Sequence, residues 1–304
     1  MKKRPFLATL AAGLAFAALT PFASAQTAAA RARHVVILSF DQASPAGIAK
    51  AQMPLFKQMA AQGAHTWEAY TIVPSLTLPS HTSMLTGVGV QKHQVLWNNY
   101  EPQRGLVQVP TIFSLAKEKG LGTAMFVAKE KFRHLVLPGS VDTFACPKDG
   151  LAASVARAFA ENYGRTKPAL CFVHFADPDV KGHEFGIDSP EKMQAYADTD
   201  AAMKTIRDAV ATAGVLDSTV FILTADHGGH DIKDKEGKTR GTHGDATTDD
   251  VTIPWIAWGK GVKPGFTVTA PVVQYDTAAT ALWLLGVPVP ESFWGRPVTS
   301  AFQP

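Results

Sequence analysis

Aspartate and histidine side chains stand together at several points of the chain in spacings typical of metal ligands. In DPDVKGH an aspartate precedes a histidine by four residues, and in ADHGG the two types are adjacent. GTHGD adds a histidine in a glycine-flanked loop, and VILSFD ends on a further aspartate. The six residues are Asp41, Asp179, His183, Asp226, His227 and His243. Carboxylate oxygens and imidazole nitrogens suit zinc-type ions, so the sequence predicts a site for two divalent metal ions, with zinc the expected element.

Not every acid or histidine in the chain fits this interpretation. A single aspartate after a strand, such as Asp41 taken alone, is equally well explained as a helix cap or a turn residue. Four further histidines lack a clear partner spacing and are expected to have surface or core roles. They are His65, His93, His174 and His230.

The segment TLPSHTSMLTG, residues 77–87, combines hydroxyl side chains with one proline. Proline is accepted in the first turn of a helix, so Pro79 predicts a loop that turns into a helix with Thr77 just ahead of it. Two interpretations of Thr77 are open at this stage. Either Thr77 or Ser80 caps the helix, or the Thr77 hydroxyl, placed at the positive helix end, acts as a nucleophile.

Nearly continuous apolar runs, several of which precede candidate ligands, predict buried strands. The runs cover 34–40, 122–128, 170–175, 219–226 and 253–259, and helical patterns at 47–61 and 190–213 alternate with them. This alternation predicts an α/β domain with a mostly parallel central sheet flanked by helices. Ligands of such sheets bind beyond the carboxyl ends of the strands, where Asp41, Asp179 and Asp226 are expected to meet.

The first 25 residues have the features of a secretory signal peptide. A basic start, an apolar run and the small-residue site Ala23-Ser24-Ala25 follow one another, and the run is shorter than a bilayer requires. We therefore expect a periplasmic or secreted protein of one domain, residues 26–304, with no membrane association after cleavage. Without the three basic residues of this segment, 26 of the 29 basic residues remain against 26 acidic ones, which argues against bulk nucleic-acid binding.

The two cysteines do not fix the redox state of the chain. Cys171 lies in the apolar run ALCFVHF, so two buried thiols and one disulfide are both compatible with export. Cys146 is followed by PKDG and not by the C-x-P-x-R pattern of sulfatases, which disfavours an oxidised-cysteine nucleophile.

Five short motifs occur in an order that resembles the alkaline phosphatase superfamily, in particular its type I phosphodiesterase/nucleotide pyrophosphatase branch. They are the strand-terminal aspartate, T-x-P-x-H-x(4)-T-G, PD-x(2)-GH-x(2)-G, DHG and HGD, and they span about residues 34–260. The resemblance implies a hydrolase domain with an α/β core and two zinc ions and, given the short chain, no large cap domain. Gln42 departs from the family, in which a glycine frequently follows the first aspartate, and this change is expected to affect the local backbone more than ligation.

The resemblance also implies a role for each site residue. One metal ion would be held by Asp179, His183 and His243. The other would be held by Asp41, Asp226, His227 and the nucleophile Thr77. Asp177 falls where the family often has a non-ligand acid and is not assigned to metal.

Three more residues are assigned to the substrate by the same resemblance. Asn98, 21 residues after Thr77, matches a family amide that contacts phosphate, although an asparagine in WNN also suits a turn. Lys129 and Lys131 match a K-x-[KR] pair that binds the extra charge of monoesters, although a solvated charge cluster is an equal alternative.

The implied reaction is hydrolysis of a small phosphoryl compound through a covalent phospho-threonine. The lysine pair gives phosphate monoesters a slight preference over diesters. A phosphodiesterase or nucleotide pyrophosphatase, and a phosphonoacetate-type C–P hydrolase, remain as alternatives. The sequence does not indicate whether the protein is a monomer or an oligomer.

Overall fold

The computed structural model describes Met1 and residues 31–304, so the predicted signal peptide lies, apart from Met1, outside the described residues. Ten strands and ten α-helices occur in this part of the chain. The strands are β1 (His34–Phe40), β2 (Ala64–Tyr70), β3 (Thr123–Val127), β4 (Thr143–Ala145), β5 (Leu170–Phe175), β6 (Thr219–Thr224), β7 (His230–Lys233), β8 (Thr239–Thr242), β9 (Thr252–Gly259) and β10 (Phe266–Thr267). The helices are α1 (Pro45–Lys50), α2 (Pro54–Gln62), α3 (Thr77–Thr86), α4 (Val90–His93), α5 (Ile112–Glu118), α6 (Ala152–Thr166), α7 (Asp177–Phe185), α8 (Pro190–Thr212), α9 (Thr248–Val251) and α10 (Asp276–Leu284).

Eight strands form one sheet in the order β10-β2-β9-β6-β1-β5-β3-β4. β9 runs antiparallel to its neighbours β6 and β2, and the other pairs are parallel. The predicted mostly parallel α/β fold is therefore confirmed, and no large cap domain is inserted between residues 31 and 304. No helix of the described residues is both long and apolar enough to cross a membrane.

The central strands β1, β5 and β6 are buried at every position. Complete burial is the pattern expected where helices cover both faces of a parallel sheet. From β1, Phe40 packs edge-on against Phe56 of α2 and contacts Phe175 of β5, with ring centroids 5.2 and 5.4 Å apart. Each large apolar side chain buried in this way contributes about 1.5–3 kcal/mol, so the core fixes the strands that carry the polar edge.

Strand register decides which residues meet at that edge. Ser39 of β1 pairs with Thr224 of β6, so Asp41 and Asp226, each two residues further on, leave adjacent strands at the same level. On the other side of β1, Phe40 pairs with Phe175 of β5, and α7 begins two residues after that strand ends. The predicted convergence of strand ends at one edge follows from this parallel register.

Several element bounds differ from the sequence prediction. The helix expected at 47–61 is two helices, because Pro54 starts a second one at α2. The strand expected to reach residue 226 ends at Thr224. Strand β2 is not predicted, because its sequence AHTWEAY mixes polar and apolar residues and lacks the continuous apolar run on which the other strand predictions rest. Both cysteines are free thiols, Cys171 buried and Cys146 partly exposed.

The hairpin β7–β8 lies outside the main sheet and returns the chain to α7. The Gly241 carbonyl of β8 accepts a hydrogen bond from His183 Nδ1 at 2.8 Å, and the Ile187 N–H donates to Asp231 of β7 at 2.7 Å. His243 follows directly after β8, so this hairpin brings it beside α7.

Candidate active site

Three side chains at the ends of β1 and β6 form the first of two groups, which we term the inner cluster. It consists of Asp41, Asp226 and His227, all completely buried. His227 Nε2 lies 3.4 Å from Asp41 Oδ1 and 3.2 Å from Asp226 Oδ2. The cluster follows from the register of β1 and β6, since both aspartates come two residues after paired strand positions.

The second group, the outer cluster, consists of Asp179, His183 and His243. Asp179 and His183 are four residues apart on α7 and therefore share one helix face. His183 Nε2 lies 3.2 Å from Asp179 Oδ1 and 3.1 Å from His243 Nε2, and His243 Nε2 lies 3.5 Å from Asp179 Oδ1. The His183 side chain is 46% exposed, so this cluster opens toward solvent.

The two clusters are in contact with each other. The rings of His227 and His243 stack with centroids 3.7 Å apart and an interplanar angle of 15°. His227 has ligand-type atoms close to those of Asp179 and His243 as well as to those of its own cluster. The structure thus brings together the six aspartates and histidines that the sequence predicts as metal ligands, three in each cluster.

Hydrogen bonds on the far side of each ring define how the three histidines face the clusters. Nδ1 of His183, His227 and His243 bonds to a backbone carbonyl, of Gly241, Gly228 and Ser75, at 2.8–2.9 Å. A carbonyl only accepts, so each neutral ring carries its proton on Nδ1 and presents the Nε2 lone pair to the cluster. Metal-binding imidazoles adopt this tautomer when a backbone carbonyl holds the other nitrogen.

Buried atoms without a hydrogen-bond partner occur in both clusters and at the start of α3. They are Asp41 Oδ1, Thr77 Oγ1, Asp179 Oδ1, Asp226 Oδ2 and His227 Nε2. Buried polar atoms almost always have partners, so the four orphaned atoms of the two clusters indicate a bound ligand. These atoms are hydrogen-bond acceptors that lie opposite other acceptors, and a bound cation would give them a common partner. The donor set of oxygens and imidazole nitrogens therefore fits divalent ions of the zinc type.

Thr77 is the first residue of α3, and Leu76, whose side chain makes no capping bond, is the N-cap. The expectation that Thr77 lies just ahead of the helix is therefore wrong by one residue. Capping by Thr77 or Ser80 is wrong too, since Ser80 Oγ bonds to Thr71 Oγ1 at 3.2 Å. Pro79 does fall in the first turn, as predicted.

All ten residues of α3 are buried, so each of its hydroxyls requires a partner. Thr82 and Thr86 donate to the carbonyls four residues earlier, and Ser83 bonds to His93 Nε2 at 2.9 Å. Of the α3 hydroxyls, Thr77 Oγ1 alone lacks a hydrogen-bond partner among the described residues. This contrast distinguishes Thr77 from the structural hydroxyls of the same helix.

Asn98 lies against the start of α3 with a defined amide orientation. Its Oδ1 accepts from the Leu78 N–H at 2.9 Å and from Lys131 Nζ at 3.1 Å. With the oxygen held by two donors, the Nδ2 donor is the side of the amide that is free to contact a ligand. Burial lowers the pKa of Lys131 to about 8, and the charge of Lys129 acts in the same direction.

Lys129 lies between the two clusters. Its Nζ is 2.6 Å from Asp41 Oδ2 and 2.6 Å from Asp179 Oδ2, one carboxylate of each cluster. These two charges outweigh burial and raise the pKa of Lys129. Of the predicted lysine pair, Lys131 contacts Asn98 while Lys129 contacts the clusters.

The electrostatics of the inner cluster show an excess of negative charge. Burial and the charge of Asp41 raise the pKa of Asp226 well above its usual value. Burial would also raise the pKa of Asp41, but Lys129 and the hydrogen bond from His174 hold it well below its usual value. Burial lowers the pKa of His227 to about 3, so this ring is neutral and able to bind a metal ion.

The outer cluster is less desolvated. Lys129, His183 and His227 together outweigh burial and hold the pKa of Asp179 low, and the contact with the Asp179 carboxylate raises the pKa of His183. Burial lowers the pKa of His243.

Two histidines behind the inner cluster were not predicted to contact it. His174 Nε2 lies 3.0 Å from Asp41 Oδ2, and His81 lies 3.5 Å from Asp226 Oδ2 while bonding to Ser39 Oγ at 2.7 Å. The available signal for His174 was a histidine inside the otherwise apolar strand LCFVHF, which is followed directly by ADPD. His81 stands within the T-x-P-x-H motif itself.

Asp177, His93 and His230 have partners outside the two clusters. Asp177 accepts from the Ala152 N–H at the start of α6, as expected of a non-ligand acid. His93 bonds to Ser83 Oγ and accepts from the Val95 N–H, the predicted core role. His230 bonds to Asp250 Oδ1 at 2.7 Å and lies near Asp245.

Comparison with known proteins agrees with this geometry. The profile of the family "Type I phosphodiesterase / nucleotide pyrophosphatase" matches residues 35–259. The chain belongs to this family, which confirms the branch of the alkaline phosphatase superfamily that the motifs predict.

Individual relatives are more distant. GPI ethanolamine phosphate transferase 1 of Gibberella zeae is 23% identical over 273 residues, covering 75% of this chain and 26% of that protein. Human ectonucleotide pyrophosphatase/phosphodiesterase family member 7 is 24% identical over 189 residues, covering 51% and 38%. The chain thus spans about a quarter to two fifths of the length of these relatives.

Solved structures share the fold. An inactive variant of murine ectonucleotide pyrophosphatase/phosphodiesterase 5 in complex with AMP has a TM-score of 0.73 at 16% identity, covering 89% of this chain and 100% of that one. The human protein of the same name has a TM-score of 0.72, also at 16% identity, covering 90% and 100%.

Proposed function

We propose that this protein is an exported, two-zinc hydrolase of small phosphate esters in which Thr77 is the nucleophile. The observation that carries the proposal is the orientation of the three imidazoles. Each has Nδ1 fixed by a carbonyl, and each Nε2 faces carboxylate oxygens across a few ångströms. Family membership supports the phosphoester chemistry.

The inner cluster with Thr77 would hold one ion and the outer cluster the other. Ions bound here would lower the pKa of a hydroxyl or of water and offset the charge of a phosphoryl group. Thr77 Oγ is buried at the N-terminus of α3, where the helix dipole favours negative charge on oxygen.

In the proposed reaction Thr77 Oγ attacks phosphorus and the ester P–O bond breaks. This gives phospho-threonine and the free alcohol, and water then cleaves the phospho-threonine to phosphate and the original hydroxyl. Asn98 donates from Nδ2 to a non-bridging oxygen, since its Oδ1 is held by Leu78 and Lys131. The murine neighbour that is inactive as a threonine-to-alanine variant and binds AMP supports both a threonine-dependent reaction and a small nucleotide-like substrate.

We favour phosphate monoesters as substrates because Lys131 stands beside Asn98. A monoester presents one more charged oxygen than a diester, and the Lys131 ammonium can donate to it. Phosphodiesters are the second candidate. The family match favours them. Lys129 is paired with Asp41 and Asp179, so only Lys131 of the lysine pair lies beside Asn98, and one ammonium group suits the lower charge of a diester.

Metal analysis combined with two substrates tests the proposal. The purified protein without residues 1–25 should contain two zinc equivalents and should turn over p-nitrophenyl phosphate faster than bis-p-nitrophenyl phosphate. The reverse order of rates would establish the diesterase alternative. Zinc-loaded protein that hydrolyses neither would refute the proposed function. Detection of a mature N-terminus at residue 26 in a periplasmic or culture fraction tests export.

A further inference from the structure

Gln42 has an unusual backbone conformation next to an inner-cluster residue. It follows Asp41, is completely buried and has φ of +58°, in the left-handed region that non-glycine residues rarely adopt. Such a conformation costs about 1 kcal/mol or more and persists when surrounding contacts fix it. In this conformation the Gln42 N–H donates to Asp226 Oδ1 at 3.1 Å. One residue thus connects two aspartates of the inner cluster.

Lys192 of α8 supplies the contacts that fix Gln42. Lys192 is 1% exposed, and its Nζ donates to Gln42 Oε1 at 2.6 Å and to the Gln42 carbonyl at 3.2 Å. The hydroxyl of Tyr196, one helical turn further along α8, donates to the same carbonyl at 3.2 Å. Burial lowers the pKa of Lys192 to about 8, while Asp179 and Asp41 oppose that shift.

The Gln42 amide is also wedged between backbone segments that carry the other ligands. A Cβ on Gly182, the residue before His183, would overlap Gln42 Oε1 and lie 3.0 Å from Lys192 Nζ. A Cβ on Gly229, two residues after His227, would lie 2.8 Å from Gln42 Nε2. The side chain therefore touches the segments of both clusters and fills the space that these two glycines leave.

We propose that Gln42 and Lys192 are positioning residues that hold the left-handed turn after Asp41 and thereby set the metal affinity of the inner cluster. The inference rests on the proposed metal site. A glycine adopts this turn without support, whereas glutamine requires the lysine to stabilise it. The sequence expectation that Gln42 matters more for local backbone than for ligation is extended here, because the backbone conformation aims the N–H at Asp226.

Zinc affinity, measured by competition with a chromophoric chelator, tests the proposal together with the melting temperature of the metal-free protein. Lys192→Met should raise the zinc Kd of the inner-cluster site by about 10- to 100-fold, the range seen when partners of metal ligands are lost. Lys204→Met, an exposed position on the same helix, is the matched control and should leave the Kd unchanged.

Adding Gln42→Gly to Lys192→Met separates positioning from packing. Glycine restores the turn but leaves a cavity, so the zinc Kd should return to within about threefold of wild type while the melting temperature stays low. Gln42→Leu keeps a side chain that disfavours the left-handed turn, so it should weaken zinc binding as Lys192→Met does. It replaces Lys192→Met in the test if the Lys192→Met protein does not fold.

Three outcomes would overturn the inference. They are a wild-type Kd in Lys192→Met, no recovery of the Kd in the Gln42→Gly/Lys192→Met protein, and a wild-type protein that binds no zinc. The first two leave the proposed function intact if wild type hydrolyses phosphoesters. A wild-type protein that binds zinc but does not hydrolyse phosphoesters would refute the proposed function and not this inference, because the effect of Gln42 and Lys192 is measured as zinc affinity.

Discussion

The inner and outer clusters are built from the same residue types but from different kinds of element. Asp41, Asp226 and His227 follow strands β1 and β6 and are completely buried. In the outer cluster Asp179 and His183 lie on α7, while His243 follows a peripheral hairpin and the His183 side chain is 46% exposed. One cluster is thus fixed by sheet register and the other by packing between a helix and a hairpin.

This difference suggests a division of roles at the proposed site. The inner cluster is completely buried, and if it binds the Thr77 hydroxyl as proposed, its burial suits attack on phosphorus. The outer cluster is reached by solvent, which suits delivery of the water that cleaves a phospho-threonine. The stacked rings of His227 and His243 are where the two meet.

The largest effect is expected from Thr77→Ala, which tests whether the inner cluster carries the nucleophile. Turnover of p-nitrophenyl phosphate should fall by about 10³-fold or more, as when nucleophiles are removed elsewhere. Zinc content should stay near two equivalents, because the six other ligands remain. Thr82→Ala, which removes a structural hydroxyl of the same helix, should retain turnover and lose about 1 kcal/mol of stability. Full turnover by Thr77→Ala would refute the assignment.

Removal of one histidine from each cluster should give unequal losses of metal. His227→Ala should reduce bound zinc to below one equivalent, since its ring lies near ligand atoms of both groups and stacks on His243. His183→Ala should retain about one equivalent, held by the inner cluster. Atomic emission analysis after gel filtration measures both. Equal losses would show that the clusters do not differ as the geometry indicates.

A smaller effect is expected from Lys131→Ala. Lys131 contacts Asn98 on the Thr77 side, so loss of its charge should affect monoesters more than diesters. The ratio of kcat/KM for the two p-nitrophenyl substrates should shift toward the diester by about tenfold, the scale of one charge-assisted hydrogen bond. Lys119→Ala at an exposed position is the control. An unchanged ratio would remove the argument for a monoester.

The smallest effect concerns pH. Burial lowers the pKa of Lys131 to about 8, so its ammonium is present below that pH and is lost as the pH rises through it. The monoester-to-diester ratio of kcat/KM should therefore fall severalfold between about pH 7 and pH 9. Effects common to both substrates cancel in the ratio, and Lys131→Ala should give a flat profile. A ratio that rises with pH in wild type would contradict the role of Lys131.

The metal-binding pattern was readable in the sequence because ligand spacing survives without tertiary structure. Asp179 and His183 share a helix face at a spacing of four, and Asp226 and His227 are adjacent. The buried strands were readable as apolar runs for a similar local reason. The hairpin β7–β8 and strand β2 were missed, since their sequences mix polar and apolar residues and contain no such run.

Contacts between distant segments could not be read in the same way. His174, an apparent core residue, contacts Asp41 across the β1–β5 pair, and Lys129 contacts one carboxylate of each cluster. The Lys192 contact with Gln42 spans 150 residues. No local pattern specifies these partners.

The sequence by itself determined the family, the α/β class and the identity of the six candidate ligands, because each depends on residue type, order and short-range periodicity. Only the tertiary structure decided that Thr77 begins its helix with an unpaired hydroxyl, that Lys129 and Lys131 have different partners, and that Gln42 adopts a left-handed turn over Lys192. Hydrogen bonding and burial decide these features, and both depend on which distant segments the packed core brings into contact.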